Sequence, residues 1–154
     1  MPSSPAPATL RTGHIGLNVT DLDRSLAFYS RVFGFETLAE GKTDSRRWAF
    51  LGRDGELVVT LWQQSTDGFA TGSAGLHHLS FQVESLDDIA AAEAVLRELG
   101  AEFAHDGVVA HAEGAASGGI FFTDPDGIRL EIYVPEGAEG APAPAGTEPT
   151  CGFF

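Results

Sequence analysis

Apolar and polar residues alternate with a period of two over residues 14–19 and again over 77–83, and each run leads into an apolar stripe at helical spacing. After the first run, Leu22, Leu26, Phe28, Tyr29, Val32 and Phe33 recur on one helix face, behind Asp21 as a side-chain cap and ahead of Gly34. After the second, Leu86, Ile89, Val95, Leu96 and Leu99 do the same, behind Ser85 with Asp88 in a capping-box-like pattern and ahead of Gly100. Three strands are predicted after each helix: near 35–40, 46–51 and 56–63 in the first half, and near 102–104, 119–123 and 128–134 in the second. The last two strands of each half are joined by turn residues, Asp54-Gly55 and Asp124-Pro125-Asp126-Gly127.

The two halves are copies of one unit. His14-Ile15-Gly16-Leu17-Asn18-Val19, followed by Leu22-Asp23, returns 64 positions later as His78-Leu79-Ser80-Phe81-Gln82-Val83, followed by Leu86-Asp87. Phe50 with Asp54-Gly55 returns 72 positions later as Phe122 with Asp126-Gly127. A unit too small to bury its own apolar face, present twice, predicts an α+β protein of two pseudo-symmetric βαβββ modules whose curved mixed sheets form a shared cleft. The expected organisation is an N-terminal arm (1–10), a first module (11–66), a linker (67–75), a second module (76–135) and a tail (136–154). The Ala/Pro/Gly-rich tail has the composition of a disordered segment, unless its apolar ending Cys151-Gly152-Phe153-Phe154 docks.

Alternation also assigns faces. Ile15, Leu17 and Val19 pack on the helices and leave His14, Gly16 and Asn18 on the other side; Leu79, Phe81 and Val83 leave His78, Ser80 and Gln82; Leu130, Ile132 and Val134 leave Arg129, Glu131 and Tyr133. If the repeats close around a cleft, His14, His78 and Glu131 face into it. Two imidazoles and a carboxylate bind Fe(II), Mn(II), Ni(II) or Zn(II) and leave positions open for substrate, water or dioxygen. A single strand-start histidine is usually a surface residue; it is the three in register that point to one divalent ion. His77 points by alternation to the other face, and Glu131 maps at the 72-residue offset onto Val59, so the first half offers no fourth carboxylate there.

These segments resemble the vicinal oxygen chelate superfamily, which includes glyoxalase I, extradiol dioxygenases, fosfomycin-modifying thiol transferases, methylmalonyl-CoA epimerases and bleomycin-resistance proteins. The resemblance rests on His14 to Leu22, Ala27-Phe28-Tyr29, Gly34-Phe35, His78-Leu79-Ser80-Phe81 and Phe122 to Glu131, roughly residues 12–135. It implies that His14, His78 and Glu131 are the metal ligands. Subfamily features are mixed. An extradiol enzyme, by the resemblance, needs an acid/base histidine near the metal and a tyrosine close to the final turn; Ile120-Phe121-Phe122 holds no tyrosine. His111, or else His105, is then the candidate acid or base from a loop. Tyr133, two residues past Glu131, is the candidate for orienting a bound oxyanion. Val59 argues against the fourth ligand usual in glyoxalase I, and a phosphonate would find only Arg129 on the cleft face. Leu57, Val59 and Leu61 with Trp48 and Phe50 suggest an apolar or aromatic ligand, and Trp48, Phe50, Val59, Gln82 and Arg129 form the expected substrate-binding set. The expected function is a metal-dependent enzyme, with ring-cleaving oxygenation of a catechol-like compound as the first reading. The alternatives are a glyoxalase-like lyase or isomerase, and a non-catalytic, antibiotic-sequestering protein of the bleomycin-resistance type.

Composition narrows the partners. The 154 residues carry nine Lys+Arg against 22 Asp+Glu, a net charge of −13 that repels phosphate backbones, so nucleic acid is not expected. The same charge suits a cationic drug. No apolar run reaches the ~20 residues of a membrane span. Met1 to Ala8 carry neither a basic nor an apolar signal region, and a cytoplasmic protein is expected. Cys151 is the single cysteine and lies outside both repeats. The Gly68–Gly75 linker permits a cleft within one chain or modules exchanged between two copies, and a homodimer acting on a small molecule is the expected assembly.

Overall fold

The structure, a computed structural model, describes residues 5–154; the first four residues of the expected N-terminal arm lie outside the described residues. Strand β1 (Ile15–Val19) leads into helix α1 (Leu22–Phe33), then β2 (Glu36–Lys42), β3 (Arg47–Arg53) and β4 (Glu56–Gln63). The pattern repeats as β5 (Leu79–Gln82), α2 (Leu86–Glu98), β6 (Val109–Ala110), β7 (Gly118–Thr123) and β8 (Arg129–Val134), and a short 3-10 turn covers Thr150–Gly152. The fold is α+β, with two four-stranded mixed sheets ordered β1-β4-β3-β2 and β5-β8-β7-β6. In each, the first strand runs parallel to the last, the outcome of a helical crossover, and the other pairs are antiparallel.

Local chemistry sets the helix ends. Asp21 accepts from the Arg24 N–H at 3.0 Å, and α1 stops where Gly34 takes φ +67° and returns its N–H to the Ser30 carbonyl. Ser85 accepts from the Asp88 N–H at 3.2 Å, and Gly100, at φ +70°, follows the end of α2.

One core joins the two modules. Leu17, Val19, Leu51, Val59 and Leu61 of the first sheet and Leu79, Ile120, Phe122, Leu130 and Ile132 of the second belong to the same buried cluster, with Tyr29 and Val32 of α1 and Ile89 and Leu96 of α2 between them. Phe33 of α1 reaches Phe81 of β5 at 4.6 Å between ring centres, and Phe28 reaches Phe122 of β7 at 6.4 Å. The Asp-Pro-Asp-Gly turn locks the modules together. Asp124 accepts from the Asp126 and Ile128 N–H groups, each at 2.9 Å, and from the Tyr29 hydroxyl at 2.9 Å. Burial holds that phenol well above its ordinary pKa, so it stays a donor. Asp126 in turn receives the Thr20 N–H, the Thr20 hydroxyl and Arg24. Since both sheets turn their helix-covered faces into this core, their open faces point away from it.

Two sequence expectations change. The edge of the second sheet is β6 at 109–110, not 102–104, where Phe103 makes only an isolated bridge to Phe122 before Gly107, at φ +68°, turns the chain. The repeat offset is also different in the last strands. Ile15 pairs with Val59 and Leu79 with Leu130, so the counterpart of Glu131 is Thr60, 71 positions earlier, and Val59 corresponds to Leu130. A bulge causes the slip: Leu51 pairs with Val59 and Gly52 with Leu57, leaving Val58 without a register partner. One extra residue flips every later side chain to the other face.

Candidate functional site

The pleat of β8 sends Glu131 to the open face of the second sheet, between the inward Leu130 and Ile132, yet its residue is only 3% exposed. Its neighbours explain that. Ser80, its register partner on β5, donates its hydroxyl to Oε1 at 2.5 Å, and His111 Nε2 lies 3.0 Å from Oε2. The other ring nitrogen of His111 sits 2.8 Å from the Ser117 hydroxyl, which fixes the imidazole plane. His78, just before β5, is half-buried; its Nδ1 lies 2.8 Å from His77 Nδ1. Burial pushes the His78 pKa below the usual imidazole value, more than the nearby Glu131 carboxylate pulls it up. The ring is therefore held neutral, the form that ligates metals. A neutral imidazole at the head of β5 and a buried carboxylate on the neighbouring parallel strand β8 have the right chemistry for two ligands of a divalent ion.

They do not complete a set within one chain. Among the described residues, no group of three or more His, Cys, Asp and Glu side chains is arranged to hold a metal ion. His14 is exposed at the head of β1, on the open face of the first sheet, and the shared core separates that face from Glu131. One chain thus brings together His78, Glu131 and His111, and leaves His14 apart.

Tyr133 stands beside His111, ring centres 5.3 Å apart, and donates its hydroxyl to Gln82 Oε1 at 3.0 Å, so both line the rim of the same face. The Arg129 guanidinium lies 5.6 Å from the centre of the Phe154 ring. On the first sheet, Trp48 and Phe50 are half-buried and form an aromatic platform with Trp62, at 4.9, 6.2 and 6.3 Å between ring centres. Trp62 lies on the His14 side: its indole nitrogen is close to the space beside Gly16 and donates to Thr60 Oγ1 at 3.0 Å. Val59 corrects the expected wall. It is fully buried in the core with Leu61, because the β4 bulge turns these residues inward and Thr60 and Trp62 outward. A groove between the modules, lined by Arg31, Phe35, Arg53 and Asp88, does not reach His14, His78 or Glu131.

The tail docks on the second open face, which residue types alone left undecided. The Phe154 ring lies 5.6 Å from the His78 ring and 5.3 Å from Phe121, the register partner of Glu131. Burial, reinforced by the Glu131 carboxylate, raises the Cys151 thiol pKa and keeps it protonated. The one sequence signal for this contact was the apolar Cys151-Gly152-Phe153-Phe154 ending.

Three comparisons bear on this arrangement. The family described as the Glyoxalase/Bleomycin resistance protein/Dioxygenase superfamily matches residues 11–132. A catechol-2,3-dioxygenase of Bacillus subtilis (strain 168) is 31% identical over 124 residues, which are 79% of this chain but only 40% of that protein. The chain thus spans less than half the length of that relative. Among solved structures, a glyoxylase/bleomycin resistance protein/dioxygenase domain from Frankia sp. EAN1pec superposes with a TM-score of 0.72 at 30% identity, over 82% of this chain and 98% of that one. The fosfomycin resistance protein FosX of Listeria monocytogenes, complexed with Mn(II) and sulfate, shares the fold at a TM-score of 0.59 and 21% identity, over 88% of this chain and 98% of its own.

Proposed function

Because the chain belongs to the glyoxalase/bleomycin resistance protein/dioxygenase superfamily, we propose that it is a metal-dependent enzyme of the vicinal oxygen chelate type whose site is completed between two copies. His78 and Glu131 of one copy and His14 of the other are the ligand set. The observation that carries this reading is the division of labour between the open faces: an imidazole and a buried carboxylate on one, the repeat-related imidazole on the other, both facing away from the core. Facing those two surfaces through a two-fold axis unites the three donors, and an isologous pair does so twice.

His78, Glu131 and the other copy's His14 would hold a divalent ion, which when bound would supply Lewis-acid polarisation of a chelating ligand's oxygens. Around it, the chain's own groups hold and move protons. His111, oriented through Nδ1 by Ser117, would take a proton from a ligand hydroxyl at Nε2 and return it later, once Glu131 gives up its bond to that nitrogen on ligating the ion. The Tyr133 hydroxyl, tied to Gln82, orients a ligand oxygen at the rim. Trp48, Phe50 and Trp62 of the second copy offer a flat apolar surface, so the ligand is a small molecule with adjacent oxygens on an apolar or aromatic body. Ring-cleaving oxygenation of a catechol-like compound is the reaction we infer first. The dioxygenase relative supports it, within the part of that protein the chain covers.

Elemental analysis and oxygen uptake test the reading. Wild-type protein loaded with Fe(II) should hold stoichiometric metal and consume oxygen with catechols, and His14→Ala and Glu131→Ala should lose the metal. Full metal retained in both variants would overturn the ligand assignment. The second reading, metal-free sequestration of a drug, is favoured by the net charge of −13 together with the aromatic platform, which suit a flat cation. Tight binding of such a drug by metal-free protein, with no turnover, is the result that would select it.

A further inference from the structure

Residues 138–154 form a strap bolted to the edge of the second sheet. Ala138 donates its N–H to the Ala116 carbonyl at 2.8 Å, the Ala110 N–H reaches the Pro142 carbonyl at 2.8 Å, and the Glu113 N–H reaches Gly146 at 2.7 Å. At the far end, Thr150 is wholly buried: its N–H donates to the His111 carbonyl at 2.7 Å and its hydroxyl to the Ala110 carbonyl at 2.7 Å. These bonds satisfy the backbone next to the two-residue strand β6, an edge otherwise left open. Beyond Thr150 the 3-10 turn carries Phe154 onto the face that holds Glu131, where its ring meets His78, Phe121 and Arg129.

From this placement we propose that the strap is a fixed wall of the ligand site, and that Phe154 limits the size of the group a ligand can carry on the His78 side. The inference rests on the chelate-enzyme reading above. Two observations separate a wall from a removable plug. Phe121 lies on the open face and is nonetheless fully buried, in contact with Phe154, His105 and His111, so lifting the strap would expose a large ring and five hydrogen-bonded groups. His78, Tyr133 and His111 remain partly accessible under it, so the strap borders the donors without sealing them. A flat ligand chelating at this point meets the Phe154 ring edge-on or stacked, whereas a branched substituent pointing the same way collides with it.

The test is equilibrium binding without turnover. Wild type and Phe154→Ala are loaded with Mn(II) and titrated, without oxygen, with 4-nitrocatechol and with 4-tert-butylcatechol; metal content and thermal midpoint are recorded alongside. Phe154 is only partly buried, and the variant should fold and hold metal as wild type does. It should bind the flat probe about tenfold more weakly and the bulky one at least as tightly as wild type, reversing the preference. Equal losses for both probes, or no change in either, would overturn the wall. A large gain in metal affinity on removing the ring would also overturn it, in favour of a plug. His78→Ala, run in parallel, isolates the parent reading: if that variant keeps full metal, the ligand set is wrong whatever Phe154 does.

Discussion

The open faces of the two sheets descend from one repeated pattern and now carry opposite characters. The first carries an exposed His14 and an aromatic platform of Trp48, Phe50 and Trp62, and the position matching Glu131 is Thr60. On the second, Glu131 is buried and doubly bonded, His78 is held neutral, and the strap of residues 138–154 covers the edge. One face supplies most of the charge chemistry and the other an apolar surface with a single donor. One repeated unit has thus produced two surfaces of different chemistry.

The sharpest way to break this contrast is to remove the carboxylate. Glu131→Ala should lower metal affinity more than about 100-fold, since a ligand is worth at least as much as the outer-shell partners that orient it; a titration with Zn(II) or Mn(II) measures this. The shared core is the next point of attack. Asp124→Ala strands the Tyr29 hydroxyl and two turn N–H groups, and should cost about 3 kcal/mol of stability in a denaturant titration. The two faces would lose their common support without any donor being touched. His111→Ala should lower kcat at saturating metal by about 100-fold, the lower range for losing a positioned acid or base, and should weaken metal binding less than Glu131→Ala does. A metal loss as large as that of Glu131→Ala would make His111 a ligand instead. Trp62→Ala, on the other face, should weaken an aromatic ligand by about tenfold and leave metal affinity unchanged. Smallest of all, His14→Ala should shift stability by less than about 0.5 kcal/mol, because an exposed side chain packs against little.

Much of this was legible along the chain. The period-two runs at 14–19 and 77–83 and the stripes behind Asp21 and Ser85 predict both helices to within a residue or two. Those signals are local, and local pattern reports them well. The platform is half legible: the sequence pattern points to Trp48 and Phe50 but also to Val59, which is buried in the core, and gives no sign of Trp62. The cause is the Val58 bulge, a tertiary accommodation with no compositional mark in a strand apolar on both faces. The second sheet's edge was misplaced for a related reason, since two-residue β6 is held by the distant Pro142 and is too short to show a period. The strap itself reads as disorder by composition, and only the apolar residues at its end suggested an anchor.

Whether the two faces serve one site can be asked directly by complementation. His14→Ala and Glu131→Ala each spoil every site in their own pairs, but a mixed pair keeps one site with His14 from one copy and His78 and Glu131 from the other. The variants are mixed, allowed to exchange under mild denaturant and returned to buffer, and bound metal is measured. Random exchange between the two should restore about a quarter of the wild-type metal content. A mixture as metal-free as its two components, in samples shown to contain mixed pairs, would contradict a site built across two copies.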